Sequence, residues 1–306
     1  MLINHIYCGD SNKLLSTIKD NVVDCVITSP PYDDLRIYNK DKKEEYDFDF
    51  KGIANQLVRV LAPGGVIVWV VGDQVKNKSE TGNSFRQALY FMELGLNLHD
   101  TMIYKKNSSA FPASITGNRY SQVFEYMFVF SKGTPTTAHL LVDKPNAWAG
   151  WKGFGKMTKR ERDGELVEID RRPVADLSPR TNIWKYATGK NYSSSDDFAS
   201  KHPAIFPEGL VGDHILTWTN KGDLILDPFN GSGTTTKMAK LLERRFIGID
   251  ISEEYCEIAR KRLTSSPEGS EIDFSDDIDM DDVEKRWTTE AKKLYGKKKD
   301  KAFGEF

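Results

Sequence analysis

Apolar residues in this chain alternate between two patterns. Short β-branched runs are separated by stretches in which apolar positions recur every three or four residues. Val22-Val23-Asp24-Cys25-Val26-Ile27 and Val66-Ile67-Val68-Trp69-Val70-Val71 are close to continuously apolar, the pattern of strands buried on both faces. Similar runs predict strands over residues 3–8, near 101–104, and over 125–130, 224–226 and 246–249. Helical spacing links Leu14, Leu15 and Ile18, then Ile53, Leu57, Val60 and Leu61, then Phe85, Leu89 and Met92. It returns over 210–219, at Met238, Leu241 and Leu242, and over 253–263. Strand alternating with helix predicts an α/β fold with a doubly wound, mostly parallel sheet.

Two strand ends break the pattern in ways that invite chemistry. The run ending at Ile27 gives way to Thr28-Ser29-Pro30-Pro31-Tyr32. Two prolines donate no ladder hydrogen bonds, so the chain must leave the sheet there. Open α/β sheets bind ligands at the C-terminal ends of their strands. The second break is Asp227-Pro228-Phe229-Asn230-Gly231-Ser232-Gly233-Thr234-Thr235, a tight glycine turn between a strand and a helix. The following strand, Phe246-Ile247-Gly248-Ile249, ends in Asp250. An acid at that place can bind the two hydroxyls of a ribose, so residues 224–250 read as half of an adenosine-cofactor site. The turn Asn-Gly-Ser-Gly is not the G-x-G-x-x-G of nicotinamide dehydrogenases.

The alternation lapses after Lys132. Residues 132–200 mix Trp148, Trp151, Phe154, Trp184 and Tyr186 with Lys152, Lys156, Lys159, Arg160, Arg162, Arg171, Arg172 and Lys185. The net charge of the whole chain is −2, but residues 105–200 hold 15 Lys and Arg against 10 Asp and Glu. Cations that meet phosphates and rings that stack on bases make this stretch a candidate nucleic-acid surface. A solvated insert with its own small aromatic core reads equally well. The tail, 265–306, is acidic and then basic, as solvated segments are. Cys8, Cys25 and Cys256 are far apart and form no C-x-x-C pair, which argues against a disulfide framework or a zinc site and fits a reducing cytoplasm. The longest apolar run, residues 66–71, is too short to span a bilayer, so no membrane role is expected.

Thr28–Tyr32 and Asp227–Thr235 together resemble the DNA methyltransferases that act on cytosine N4 or adenine N6. Their order here, with the proline loop first, the basic insert next and the glycine turn last, resembles the permuted, beta-type arrangement. The resemblance implies a Rossmann-like methyltransferase sheet of seven strands and S-adenosylmethionine as cofactor. It divides the chain into a catalytic half (1–131), a target-recognition insert (132–200), a cofactor-binding half (201–264) and the tail. Ser29, Pro30, Pro31 and Tyr32 would be catalytic. Thr28 and Asp227, Pro228, Phe229, Asn230, Gly231, Ser232, Gly233 and Thr234 would line the cofactor, with Asp227 near the methionine amino group. Asp250 and Ile251 would meet the ribose, and Gly9-Asp10 the adenine. His202, Pro203, Phe206 and Pro207 resemble the segment that precedes the cofactor loop. Lys152, Lys156, Lys159, Arg160, Arg162, Arg171 and Arg172 would contact DNA. A homodimer and a cognate restriction endonuclease are partners that the family implies.

The residue types suit that chemistry. An exocyclic amine is a poor nucleophile because its lone pair is delocalised into the ring. The hydroxyl of Ser29 and the carbonyl of Pro30 can each accept one N–H of such an amine, and the proline rings preorganise them. Tyr32 can stack on a base that has left the duplex. The chain has no Pro-Cys pair, which disfavours methylation at cytosine C5. Serine in the first catalytic position favours cytosine N4 over adenine N6. Methylation of RNA or protein, and a non-catalytic DNA-binding module of the same fold, are the alternative readings.

Overall fold

The computed structural model describes residues 1–31, 48–107, 118–153, 157–169, 172–186 and 206–264. Tyr32, Lys156, Arg171, His202, Pro203 and the charged tail lie outside these residues.

Among the described residues, eight strands form one sheet: β1 (His5–Cys8), β2 (Val23–Thr28), β3 (Leu61–Val71), β4 (Asn97–Lys106), β5 (Phe124–Ser131), β6 (Ile183–Tyr186), β7 (Leu224–Asp227) and β8 (Arg245–Asp250). Their spatial order is β1-β8-β7-β2-β3-β5-β4-β6. Every neighbouring pair is parallel except the two made by β5, which runs against β3 and β4. The ends of β1, β8, β7, β2 and β3 therefore open on one edge.

Among the described residues, six helices cover the sheet: α1 (Ser11–Leu15), α2 (Phe50–Val60), α3 (Asn83–Glu93), α4 (Glu208–Trp218), α5 (Thr234–Leu241) and α6 (Glu253–Thr264). Side chains alternate along each strand, so the central strands supply two cores. Val26, Ile67, Trp69 and Leu226 pack with Leu15, Ile53, Leu57 and Phe91 of the first three helices. Cys25, Ile27, Val68 and Ile225 pack on the other side with Leu210, Ile215, Trp218 and Met238. Helices on both faces make the sheet doubly wound, as the alternation predicts. Among the described residues, no helix is long and apolar enough to cross a membrane.

Two features differ from the sequence reading. Helix α3 forms where expected, but Phe85, Leu89 and Met92 point outward and the helix buries Ser84, Gln87, Ala88 and Phe91. The polar pair turns inward because it has partners there. Gln87 accepts from the Trp69 indole at 2.9 Å, and the Ser84 hydroxyl and amide both donate to the buried Asp73. Phe91 packs edge-on against Trp69, ring centroids 5.1 Å apart.

The second difference is β6, an eighth strand drawn from the stretch read as an irregular insert. It pairs in parallel with β4, Trp184 opposite Tyr104. Trp184 is buried, its ring tilted against that of His214 with centroids 4.7 Å apart. The Tyr186 hydroxyl donates to Asp213 at 2.5 Å, and Arg180 bridges Asp213 to Asp143. Burial raises the pKa of Asp213, and the Arg180 guanidinium opposes that shift. Trp184 is thus sheet core and the half-buried Tyr186 packs against that core, unlike Trp148 and Trp151, which stay exposed with rings 5.7 Å apart.

Trp184→Ala should therefore lower unfolding free energy by about 3–5 kcal/mol, the usual loss for a buried aromatic. Urea denaturation measures it, and an unchanged midpoint would return Trp184 to the surface.

Candidate functional site

The proline loop and the glycine turn meet because β2 and β7 are neighbours. Ile225 pairs with Cys25 and Leu226 with Val26, so both strands end at the same level of the sheet. At that level the Thr28 hydroxyl donates to Asp227 Oδ1 at 2.6 Å, a contact between residues 199 positions apart. Thr235, at the start of α5, donates to the Ile27 carbonyl at 3.3 Å. Ser29 and Pro31 are half-buried beside this junction, and Pro30 is buried.

Asp227 is almost wholly enclosed. Burial pushes its carboxyl up to about 6, against the hydrogen bonds from Thr28, Thr235 and the Phe229 amide. Ionising it without a cationic neighbour costs roughly 3 kcal/mol, at 1.36 kcal/mol for each unit. The shift favours protonation of the folded protein, so its stabilising contribution is complete below the ordinary carboxylate range. It is lost as pH rises through about 6.

The turn that follows is held from several sides. The Asn230 amide donates to the Ile249 carbonyl at 2.8 Å, and the Gly231 amide to Asp250 Oδ2 at 2.8 Å. The Ser11 hydroxyl donates to the Pro228 carbonyl at 2.6 Å, tying α1 to the turn. Phe229 packs edge-on between Phe48 and Trp69, with centroids 5.4 and 6.3 Å away. Gly233 has φ +82°, and a Cβ there would lie 2.6 Å from the Ala259 Cβ on α6. Gly233 is therefore required by helix packing, whatever binds above it. Gly248 has the same need, since its Cβ would lie 2.7 Å from the side-chain carbon of Asn230.

Asp250 ends β8 as expected, and burial raises its pKa. Its oxygens accept from the Gly231 and Ser252 amides at 2.8 and 2.9 Å. Each carboxylate oxygen has more than one acceptor position, so ribose hydroxyls can still be bound. Ile251, beside it, is exposed. Across the edge, the Gly9 amide donates to the Asp250 carbonyl, and Asp10 caps α1 by accepting from the Lys13 amide at 2.9 Å. Phe206 is half-buried and Pro207 buried at the start of α4.

The arrangement suits S-adenosylmethionine. Asp227 is a buried carboxyl of raised pKa that can meet a cation, Asp250 is a strand-end acid with acceptor positions left for hydroxyls, and Asn230 Nδ2 is a buried donor with no partner among the described residues.

Several residues that shape the site carry no obvious sequence signal. Asp24 accepts from the Leu224 amide at 2.7 Å and locks β7 onto β2. Glu208, Lys237 and Arg262 form a buried ionic cluster behind the turn. A clue existed for Arg262, because it shares a helical stripe with the buried Tyr255, Cys256 and Ala259.

Of the basic residues expected to meet DNA, Lys152, Lys159, Arg160, Arg162 and Arg172 are all exposed. Lys159 and Arg160 lie on a two-stranded antiparallel ribbon, Met157–Arg160 with Leu166–Ile169, and Arg162 lies in its turn. Lys159 is paired with Glu161 at 3.0 Å. None of them approaches the strand-end crevice through a contact among the described residues.

The family model described as DNA methylase, of the N6/N4 type, matches residues 23–261. The orphan methyltransferase M.BamHII of Bacillus amyloliquefaciens is 53% identical over 251 residues, 80% of this chain and 92% of that protein. The type II methyltransferase M.BglII of Bacillus subtilis is 30% identical over 272 residues, 87% of this chain and 70% of that protein. Among solved structures, the cytosine-N4-specific PvuII DNA methyltransferase superposes with a TM-score of 0.59 at 19% identity, covering 95% of this chain and 92% of its own. M1.HpyAVI in complex with S-adenosylmethionine gives a TM-score of 0.52 at 24% identity, covering 85% and 98%. The two structures share their fold with this chain. Given a family model that spans most of its length and a relative identical at more than half of the aligned positions, the chain belongs to the N6/N4 DNA methylase family and is an S-adenosylmethionine-dependent DNA methyltransferase.

Proposed function

We propose that this enzyme methylates the exocyclic N4 amine of a cytosine flipped out of duplex DNA. The observation that carries the reading is the Thr28–Asp227 hydrogen bond, which brings the Ser-Pro-Pro loop and the glycine turn to one crevice. Order along the chain, proline loop before glycine turn, supports the beta-type arrangement with residues 132–200 between the halves.

S-adenosylmethionine supplies an electrophilic methyl group on a sulfonium. The chain's own residues bind and aim. Asp227 faces the ammonium of the methionine moiety, Asp250 the ribose hydroxyls, and Asp10 the adenine. Ser29 Oγ and the Pro30 carbonyl accept the two amine hydrogens of the target, which concentrates its lone pair toward the methyl. Tyr32 stacks on the extruded base. As the nitrogen–carbon bond forms, the sulfur–carbon bond breaks and the amine proton passes to solvent. No strong base is needed before attack, and alignment of the two reactants can lower the barrier by up to ~7–11 kcal/mol.

The ribbon 157–169 supports DNA as substrate. It stands clear of the core, and an isolated hairpin gains little stability of its own. A two-stranded ribbon fits the major groove, where base edges are distinguishable. Lys152, Lys159, Arg160, Arg162 and Arg172, with Lys156 and Arg171, are the proposed phosphate contacts. A homodimer, a cognate endonuclease and a cytoplasmic location complete the reading.

Incubation with labelled S-adenosylmethionine and mixed-sequence DNA, followed by nucleoside analysis, should yield N4-methylcytosine. N6-methyladenine would move the target atom to adenine, and the absence of any methylated nucleoside from folded enzyme at low salt would sink the reading. Calorimetry across pH should show cofactor affinity rising from pH 5 to 7 and flattening above, with proton release on binding at the lower end, because an ammonium beside Asp227 brings its carboxyl down from about 6. Asp227→Asn should remove that slope. Charge reversal at Arg160 and Arg162 should weaken DNA binding and flatten its salt dependence; unchanged affinity would place the recognition surface elsewhere.

A further inference from the structure

Behind the glycine turn, away from the strand-end crevice, one arginine joins three elements. Arg262 on α6 has no exposed surface. Its Nη1 donates to the Ser232 carbonyl at 2.8 Å, to the Ser232 hydroxyl at 3.2 Å and to the Thr234 hydroxyl at 3.0 Å. Its Nη2 donates to Glu208 Oε1 at 2.6 Å. Glu208 opens α4 directly after Phe206 and Pro207, and the same oxygen accepts from Lys237 Nζ of α5 at 2.9 Å. One planar guanidinium therefore grips the glycine turn with one nitrogen and the start of α4 with the other.

We infer that Arg262 is a positioning residue for cofactor binding, setting the separation between the glycine turn and Phe206-Pro207 at the start of α4. The inference rests on the reading of those two segments as walls of the S-adenosylmethionine site. Its physical basis is the geometry of the side chain. A guanidinium offers five donors in a rigid fork, so fixing it on Glu208 fixes the direction of its bonds to Ser232 and Thr234. The hydroxyls and carbonyl it holds belong to the stretch whose backbone conformation depends on the left-handed Gly231 and Gly233. An ammonium at the same place has three donors on a flexible stem and cannot span both partners in fixed directions. Burial sharpens the effect, because a buried charge must stay close to its partners. Arg262 touches neither the methyl donor's expected place nor the base, so it acts through the turn.

The split between cofactor KM and kcat separates positioning from a general structural role. Partial unfolding lowers the active fraction and hence apparent kcat, with KM unmoved. Arg262→Lys should fold, as judged by circular dichroism and a cooperative melt, and should raise the KM and calorimetric Kd for S-adenosylmethionine about tenfold with only a small fall in kcat. The control is Lys240→Met, which removes another α5–α6 bond, from Lys240 Nζ to the Leu263 carbonyl at 2.8 Å, without touching the turn. Its KM should stay within about twofold of the parent. Should Arg262→Lys not fold, Glu208→Gln decides, since it keeps an acceptor oxygen but drops the charge that orients the fork; it should raise KM at least about threefold. A folded Arg262→Lys with parental KM, an equal rise in Lys240→Met, or a parental KM in a deciding Glu208→Gln would overturn the inference. Failure of the unmodified protein to bind S-adenosylmethionine would instead remove the cofactor reading beneath it.

Discussion

A short hydrogen bond between the ends of two adjacent parallel strands joins this enzyme's proline loop to its glycine turn. Thr28 and Asp227 close β2 and β7, and everything at the crevice is arranged about that junction. It places a rigid proline loop beside a glycine turn, which the sequence separates by most of the chain. It also encloses a carboxyl that is held protonated more readily than usual. A buried acid of that kind is poorly suited to stabilising an empty protein and well suited to meeting a cation. Its burial costs the unliganded fold stability at neutral pH, a cost that desolvated groups at functional sites commonly carry.

Two arginines, the half-buried Arg180 and the fully buried Arg262, tie other segments to α4. Arg180 joins Asp143 to Asp213 and so ties the stretch after β5 to the middle of α4, and Arg262 joins the glycine turn to Glu208 at the start of the same helix. Helix α4 consequently receives both the stretch after β5 and the glycine turn. Its residues are buried almost throughout, including Asp213, His214 and Glu208. The pKa of His214 falls to about 3 through burial, so it is a neutral packing element between Trp184 and Met127.

Local pattern carried much of the fold. The continuous runs at β2 and β3 read as buried strands because both faces of a central parallel strand are covered, which leaves no polar alternation to confuse the assignment. The glycine turn was legible because Asn-Gly-Ser-Gly after Asp-Pro admits few backbone paths. Helix α3 shows where periodicity misleads. Its apolar stripe of Phe85, Leu89 and Met92 is complete, yet the opposite stripe faces the core, because Asp73 and Trp69 supply partners that turn Ser84 and Gln87 inward. Trp184 and Tyr186 left two readings open, since an aromatic beside a lysine looks alike on a DNA surface and at a sheet edge.

The sequence by itself determined the strand and helix alternation, the two chemically distinctive loops and the acid at the end of β8, because each is written in residues within one turn or one strand of each other. Only the tertiary structure decided that β2 lies against β7, that Gly233 answers to Ala259, and that Arg262 reaches the glycine turn. Those contacts join segments remote along the chain, and their selection depends on which buried polar groups find partners once the sheet has closed.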